Sequence, residues 1–175
     1  MKFTKYHQFG AYHFKQYADK NTKYSRHADR VKDWIKEKSC LDIGAGDGCI
    51  TKLLEIKGVD DEPEAVRLAQ KMGADVVLGD AYKLPFEDGE FESAFMGDVL
   101  EHMEFPKKAL QEMKRVITKY FYIASPTPEG KDKFHYEEWN PGQLKELVEA
   151  EGFKLEGEML VVLEDKRIYA KFKKI

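Results

Sequence analysis

The chain has 175 residues, of which 42% are hydrophobic and 35% are charged, and its net charge is −3. This length and apolar content predict a single folded domain over residues 1–175. The slightly negative charge excludes a protein-wide positive field that would recruit nucleic acid or anionic membrane. No stretch approaches the roughly 20 apolar residues of a membrane span.

The two cysteines, Cys40 and Cys49, are not spaced as a C-x-x-C pair. The residues after Met1 do not resemble a secretory signal. We therefore expect a reduced, cytoplasmic protein.

The first 25 residues are rich in aromatic side chains interleaved with histidines and lysines. Such a segment is too aromatic for a disordered tail, so we expect residues 1–25 to pack on the core or on a ligand. The rings and imidazoles concerned are Phe3, Tyr6, Phe9, Tyr12, Phe14, Tyr17 and Tyr24, with His7, His13 and, just after the segment, His27. A helix is predicted over residues 24–37, with Val31, Trp34 and Ile35 on one side.

Strands and helices then alternate along the chain. Strands are predicted at residues 39–43, 55–59, 74–78, 91–96 and 120–124, and helices at 50–54, 63–72, 99–103, 106–117 and 141–151. Residues 126–140 are predicted to form an irregular loop, and residues 153–163 and 167–172 an antiparallel hairpin. This order predicts an α/β fold: a doubly wound, mostly parallel seven-stranded sheet with helices on both faces and a C-terminal antiparallel hairpin.

A glycine-rich turn follows the first predicted strand, in the segment LDIGAGDG. Gly44, Gly46 and Gly48 permit backbone angles that a side chain forbids and let a ligand approach the main chain. A strand, such a turn and a helix form a cradle for nucleotide-like ligands. The spacing lacks the third glycine of the dinucleotide fingerprint, where Cys49 stands, and the phosphate-loop pattern is absent too. The residues alone indicate an adenosine-type ligand that is not obviously held by its phosphates.

Four segments in order resemble the class I S-adenosylmethionine-dependent methyltransferases, over about residues 39–125: LDIGAGDG, GVDDEPEAVRLA, GDAYKLPFEDGEFE and MGDVLEHMEFPKKALQEMKRV. The resemblance implies a Rossmann-like methyltransferase fold, methyl transfer as the activity, S-adenosylmethionine as cofactor and S-adenosylhomocysteine as its product. The donor-binding residues that it implies are Asp42, Gly44, Ala45, Gly46, Gly48, Asp60, Asp61, Asp80, Ala81, Tyr82, Gly97 and Asp98.

The resemblance also implies individual roles. Asp60 accepts from the ribose hydroxyls, Asp80 and the amides after it serve the adenine, and Gly97 and Asp98 line the methionine side. Asp42 either accepts from loop amides or lies near the donor's ammonium group. Capping of the next helix by Asp60 or Asp61, a turn-forming Asp80 and a helix-capping Asp98 are the alternative interpretations.

Two departures from the family pattern affect the fold. Asp60 follows Gly48 by only 12 residues, which predicts a first helix of little over one turn. The segment before the fifth strand lacks the usual Pro-Gly-Gly turn, which predicts a tighter connection.

His102 is the candidate base for an acceptor hydroxyl or amine; a structural or acceptor-positioning histidine is the alternative. No metal is predicted, because Glu101-His102-Met103-Glu104 is not H-E-x-x-H and no second histidine is close in sequence. The aromatic N-terminal segment and the 126–140 loop, with Phe134, His135, Tyr136 and Trp139, are expected to choose the acceptor. Tyr12, His13 and Tyr17 form either a lid near the sulfonium or ordinary cover for the sheet.

The predicted function is methyl transfer to an oxygen or nitrogen nucleophile. The expected acceptor is a small molecule or a small glycan, lipid or quinone-like group; a nucleic acid or protein acceptor stays open. A non-catalytic methyltransferase-like binding module is the alternative, and the glycine spacing disfavours a nicotinamide dehydrogenase. The sequence does not determine the oligomeric state.

Overall fold

A computed structural model describes residues 5–130 and 135–175. The chain divides into two units, Met1–Ala81 and Tyr82–Ile175, and each of them combines helices with strands. The expectation of one domain over residues 1–175 remains a prediction. Phe3 and Phe134, which the sequence singled out, lie outside the described residues.

The first unit contains a three-stranded parallel sheet. Its helices are α1 (Lys5–Phe9), α2 (Tyr12–Ala18), α3 (Lys23–Trp34), α4 (Cys49–Leu54) and α5 (Pro63–Lys71), and its strands are β1 (Cys40–Ile43), β2 (Lys57–Asp60) and β3 (Val76–Leu78). Strand β2 lies between β1 and β3, with Leu41 opposite Lys57 and Gly58 opposite Val76. The parallel strands and the short α4 confirm the sequence prediction.

Helix α5 shows how local sequence sets these boundaries. The Glu62 side chain caps the helix by accepting from the amide of Glu64, and Pro63 occupies the first turn, where its missing N–H costs nothing. Gly73 ends the helix with a φ of +77°. The prediction that Asp60 or Asp61 caps this helix is therefore wrong, because Glu62 performs that role.

The aromatic N-terminal segment folds into α1 and α2. Tyr6 is buried and packs with Ala65 and Leu68 of α5. Helix α3 ends at Trp34, three residues before the predicted end, because Ile35 adopts an extended conformation. The segment thus covers the first unit, as one of the two sequence interpretations expected.

The second unit contains the other five strands of the described chain. Its strands are β4 (Phe91–Gly97), β5 (Ile117–Pro126), β6 (Phe153–Leu155), β7 (Leu160–Val162) and β8 (Arg167–Lys174), and its helices are α6 (Pro106–Val116) and α7 (Pro141–Ala150), with 3-10 turns at Leu100–His102 and Pro128–Gly130. Strand β4 is parallel to β5, and β8 runs antiparallel to β5, β6 and β7. Helix α6 passes directly into β5, which confirms the predicted tight connection.

The last predicted strand, residues 153–163, is two strands in the structure. Strand β6 pairs with the end of β8 and β7 with its beginning. Gly157, between them, has a left-handed φ of +78°, which an extended strand does not accommodate. The described chain therefore has eight strands rather than the predicted seven, and the C-terminal antiparallel arrangement is confirmed.

The core of the second unit is formed by side chains of β5, β6 and β8. The ring of Phe121 lies 5.9 Å from that of Phe153 and 6.3 Å from that of Phe172, measured between centroids. The contacts between these rings pack β5, β6 and β8 against one another. Among the helices of the described residues, none has the length and apolar character to cross a bilayer.

Candidate functional site

The glycine loop is anchored on β2. The amides of Gly44 and Ala45 both donate to the carbonyl of Val59, at 2.8 and 3.0 Å. Gly44, Gly46 and Gly48 have φ values of +75°, +58° and +76°, a region that side chains disfavour. The backbone conformation therefore requires the three alternating glycines that the sequence analysis singled out.

Gly48 also permits close packing beneath the loop. A Cβ atom at this position would lie 2.5 Å from the Cβ of Ala74 and 2.9 Å from that of Ala69. A larger residue would clash with α5 and the segment that leads into β3, so packing requires a glycine here.

Asp60 connects the end of β2 to the glycine loop. Its Oδ2 accepts from the amide of Gly46 at 2.7 Å, and its Oδ1 accepts from the amide of Glu62 at 2.9 Å. Burial raises the pKa of Asp60 to about 6. Because each carboxylate oxygen can accept two hydrogen bonds, the side chain retains capacity for further donors.

Asp42, inside β1, is buried and accepts from the Thr51 hydroxyl of α4 at 2.6 Å. Burial raises the pKa of this carboxyl to about 7. Its contact with Thr51 ties the strand to the helix across the glycine loop.

Two further acids lie near Asp60 in the first unit. Burial, and secondly the charge of Asp80, raises the pKa of Asp61. The amide of Gly79 donates to the carbonyl of Asp60 at 3.0 Å, which brings the segment with Asp80 and Ala81 to the end of β2. The structure thus gathers the predicted acids of this unit around the glycine loop.

The N-terminal segment reaches this loop through Tyr6 and through His13, one of the residues for which the sequence analysis offered a lid as one interpretation. The hydroxyl of Tyr6 lies where a Cβ on Gly46 would stand. His13 donates its backbone amide to Asp47 Oδ2 at 2.9 Å, and its Nδ1 lies 3.2 Å from Oδ1. Asp47 is fully buried; its place between two of the glycines was the only sequence signal for it.

A row of neighbouring rings continues from this contact. Successive ring centroids are 5.4 Å apart for Tyr6 and Tyr12, 4.0 Å for Tyr12 and His13, and 4.6 Å for His13 and Tyr24. Tyr17 instead donates its hydroxyl to Asp29 at 2.9 Å. Tyr12 and His13 therefore lie in the row of rings at the glycine loop, whereas the hydroxyl of Tyr17 is held by α3.

In the second unit, Asp98 is held by Arg167. The guanidinium Nε lies 2.9 and 3.0 Å from the two carboxylate oxygens, and Nη2 also bonds Oδ2. Asp98 has a φ of +53° and precedes Val99, the cap residue of the 3-10 turn, which has no side-chain cap. The helix-capping interpretation of Asp98 is therefore wrong; its carboxylate forms an ion pair with a residue of β8.

Glu101, His102 and His135 also meet in the second unit. The two imidazole rings are 4.8 Å apart between centroids, and the amide of Tyr136 donates to the carbonyl of Glu101 at 2.8 Å. Burial, followed by the charge of Asp98, raises the pKa of Glu101 well above its usual range. The sequence predicted no second histidine beside His102, because folding alone brings His135 there.

Tyr82 and Phe105 form a small aromatic contact in this unit. The amide of Phe105 donates to the Tyr82 hydroxyl at 3.2 Å, and the rings meet edge to face with centroids 6.2 Å apart. Of the aromatic residues predicted to select the acceptor, Trp139 is buried and Tyr136 is exposed.

Comparison with known proteins identifies a methyltransferase domain in part of the chain. Residues 41–122 match the family model described as a methyltransferase domain. An uncharacterized protein of Methanocaldococcus jannaschii is 38% identical over 95 residues, which cover 54% of this chain and 46% of that protein. Norajmaline N-methyltransferase of Rauvolfia serpentina is 35% identical over 97 residues, covering 46% of this chain and 32% of that enzyme.

A solved structure covers nearly the whole chain. It is a SAM-dependent methyltransferase of Thermotoga maritima, described as a possible histamine N-methyltransferase, with a TM-score of 0.76 and 21% identity, and the match covers 98% of this chain and 96% of that one.

These matches support a class I S-adenosylmethionine-dependent methyltransferase. The superposition with the Thermotoga methyltransferase shows the Rossmann-like methyltransferase fold. The chain spans less than half the length of both curated relatives.

The first unit fits S-adenosylmethionine, the cofactor that these matches support. Asp60 has unused acceptor positions for hydroxyl donors, and the glycine loop presents main chain without side chains. The Tyr6 hydroxyl lies on the side of Gly46 where a Cβ atom would project. A ligand that reaches this side of the glycine either contacts that hydroxyl or displaces it.

Proposed function

We propose that this protein transfers a methyl group from S-adenosylmethionine to an oxygen or nitrogen nucleophile on a small acceptor. The observation that carries the proposal is the hydrogen bond between the Gly46 amide and Asp60 Oδ2. It places a carboxylate with spare acceptor capacity beside the loop that the family uses for its donor. The acceptor class we propose is a small molecule or a small group on a glycan, lipid or quinone-like compound.

S-adenosylmethionine, when bound, supplies a methyl group activated by its sulfonium. In this proposal Asp60 accepts from both ribose hydroxyls, since a carboxylate makes stronger hydrogen bonds than a neutral acceptor. Asp80 and the amides of Ala81 and Tyr82 bind the adenine.

The remaining donor residues face the methionine part in this proposal. Gly44, Ala45, Gly46 and Gly48 offer backbone to it, and Asp42 adds negative charge near its ammonium group. In the second unit, Arg167 shares the Asp98 carboxylate.

His102 serves the acceptor in this proposal, either by positioning it or by taking its proton. Methyl transfer depends mainly on aligning nucleophile and methyl carbon, and a base adds to the rate when the nucleophile carries a proton. One relative is named an N-methyltransferase, which supports nitrogen as an acceptor atom.

A non-catalytic binding module is the second candidate, favoured by one observation. Tyr6 and His13 cover the glycine loop from the N-terminal segment, as a closed or regulatory module would. A module of this kind retains donor affinity and transfers nothing.

Incubation with S-adenosylmethionine labelled in its methyl group and a broad metabolite extract tests the proposal. We expect label in at least one small molecule, and loss of that label with the Asp60→Asn variant. The matched control is Asp75→Asn, which changes an exposed aspartate of the same unit paired with Lys57. Donor binding without any transfer would favour the binding module, and no binding of the donor would contradict both.

A further inference from the structure

Three side chains of metal-binding type meet in the second unit. The carboxylate of Glu101 and the imidazoles of His102 and His135 offer ligand atoms that all lie within 4.8 Å of one another. Glu101 and His102 belong to the 3-10 turn after β4, and His135 belongs to the segment before α7. The hydrogen bond from the Tyr136 amide to the Glu101 carbonyl holds the two segments together.

Glu101 is the unexplained member of this cluster. The residue is 1% exposed, and within residues 5–130 and 135–175 neither carboxylate oxygen has a hydrogen-bond partner. Removing a carboxylate from water without a partner is costly. The guanidinium of Arg167, in the same unit, already binds Asp98 at both oxygens. A bound cation would satisfy the Glu101 carboxylate.

His135 is oriented as histidine ligands usually are. Its Nδ1 lies 2.7 Å from Glu138 Oε1, and both side chains are only 10% exposed. When Nδ1–H donates to this carboxylate, the Nε2 atom keeps its lone pair for a metal. Glu138 therefore acts on the cluster through His135, without joining it.

We propose that Glu101, His102 and His135 bind one divalent transition-metal ion of the Zn²⁺ type. Two imidazoles and one carboxylate form the donor set of many zinc sites that keep a position open for a further ligand. Nitrogen donors disfavour Mg²⁺ and Ca²⁺, which select oxygen ligands. Zinc bonds of about 2.0–2.2 Å require donor atoms closer together than 4.8 Å, so binding draws the three side chains inward. This inference concerns metal binding and does not depend on methyl transfer. In the metal-bound state His102 is a ligand, which leaves it the positioning role and not that of the base.

The test is a metal titration of the untagged full chain after dialysis against a chelator. We expect Zn²⁺, and Co²⁺ as its spectroscopic substitute, to bind at one equivalent and to raise the unfolding temperature, because a metal that binds only the folded state stabilises it. Glu101→Gln and His135→Ala should each lower the affinity at least tenfold. Glu138→Gln, which leaves all three ligands in place, should lower it by roughly 10- to 100-fold.

His7→Ala is the matched control, since His7 is an exposed histidine of the first unit that pairs with Glu62. It should bind zinc as the parent does. Circular dichroism of each variant in the absence of metal checks that the fold is retained. Absence of saturable binding to the parent, equal affinity for Mg²⁺, or binding that is unchanged in both Glu101→Gln and Glu138→Gln would overturn the proposal.

Discussion

The backbone amide of Gly46 donates to the Asp60 carboxylate at 2.7 Å, and this bond links the loop after β1 to the end of β2. Both residues belong to the proposed donor site. Folding already holds this carboxylate in place. A ribose that binds there therefore loses little free energy to the ordering of the Asp60 side chain.

Gly46→Ala is expected to lower both stability and affinity for S-adenosylhomocysteine. The residue has a φ of +58°, which costs a side chain roughly 1–2 kcal/mol, and the new Cβ would overlap the Tyr6 hydroxyl. Urea unfolding and calorimetric titration measure the two effects. Tyr6→Phe in the same chain removes the overlapping oxygen and should recover part of the lost stability.

Gly10→Ala is the matched control for this substitution. Gly10 has a similar φ of +66° but nothing within 4 Å of an added Cβ, so it carries the backbone strain without the overlap. We expect Gly46→Ala to be clearly more destabilising than Gly10→Ala. Equal losses would show that Tyr6 does not press on the glycine loop.

Asp42→Asn is expected to flatten the dependence of stability on pH. Burial raises the pKa of Asp42 from 3.8 to about 7, so the folded state holds this proton more tightly than the unfolded state. Its contribution is present below the unfolded pKa and is lost as the pH rises through the folded one. The parent should therefore lose up to a few kcal/mol between about pH 5 and pH 8.

Asparagine cannot titrate, yet its side-chain oxygen can still accept from the Thr51 hydroxyl. Denaturant unfolding at the two pH values should show a smaller loss for Asp42→Asn than for the parent. A residual slope of the same sign is expected from Asp60, whose pKa burial raises to about 6. The interpretation fails if Asp42→Asn and the parent lose the same stability.

Arg167→Ala is expected to destabilise the protein by roughly 1–3 kcal/mol, because it leaves the half-buried Asp98 carboxylate without its bidentate partner. Lys119→Ala, which breaks an exposed pair with Glu92, should cost less than about 1 kcal/mol. Arg167→Lys should recover only part of the loss, because lysine lacks the planar fork. Equal unfolding free energies for the Arg167→Ala and Lys119→Ala variants would contradict the role given to this ion pair.

Asp47→Ala is expected to loosen the N-terminal helices. The fully buried Asp47 accepts from both the amide and the ring of His13, and it is the contact between α2 and the glycine loop. Hydrogen exchange followed by mass spectrometry should show faster exchange in α1 and α2, with α7 unchanged. The control is Asp29→Ala, which removes the partner of the Tyr17 hydroxyl but leaves the contact of Asp47 with His13 intact. Unchanged exchange of α1 in Asp47→Ala would contradict the role given to Asp47.

The sequence predicted elements well where local residues determine their ends. Proline begins α5, α6 and α7, and left-handed glycines end α5 and α7. The predicted single strand over residues 153–163 failed because periodicity does not reveal a left-handed turn at Gly157. The helices α1 and α2 were missed because aromatic content predicted burial without indicating a backbone conformation.

In the candidate site, too, contacts between residues close in the sequence could be predicted and contacts between distant residues could not. The glycine loop and Asp60 are close in the sequence and follow adjacent strands, so their contact could be anticipated from the order of elements. Arg167 lies 69 residues from Asp98, and His135 reaches His102 only through the fold. Such pairs have no local signal in the sequence. The contact of Glu138 with His135 could be recognised only once the direction of the His135 ring was known.

Calorimetric titration with S-adenosylhomocysteine, comparing the parent, Asp60→Asn and Asp75→Asn, tests the central claim most directly. Asparagine preserves the shape of Asp60 and an acceptor for the Gly46 amide while removing the charge, so the fold should persist. The account predicts a loss of affinity of about tenfold or more for Asp60→Asn and parental affinity for Asp75→Asn. Parental affinity in both variants would contradict the placement of the methyl donor at the glycine loop and Asp60.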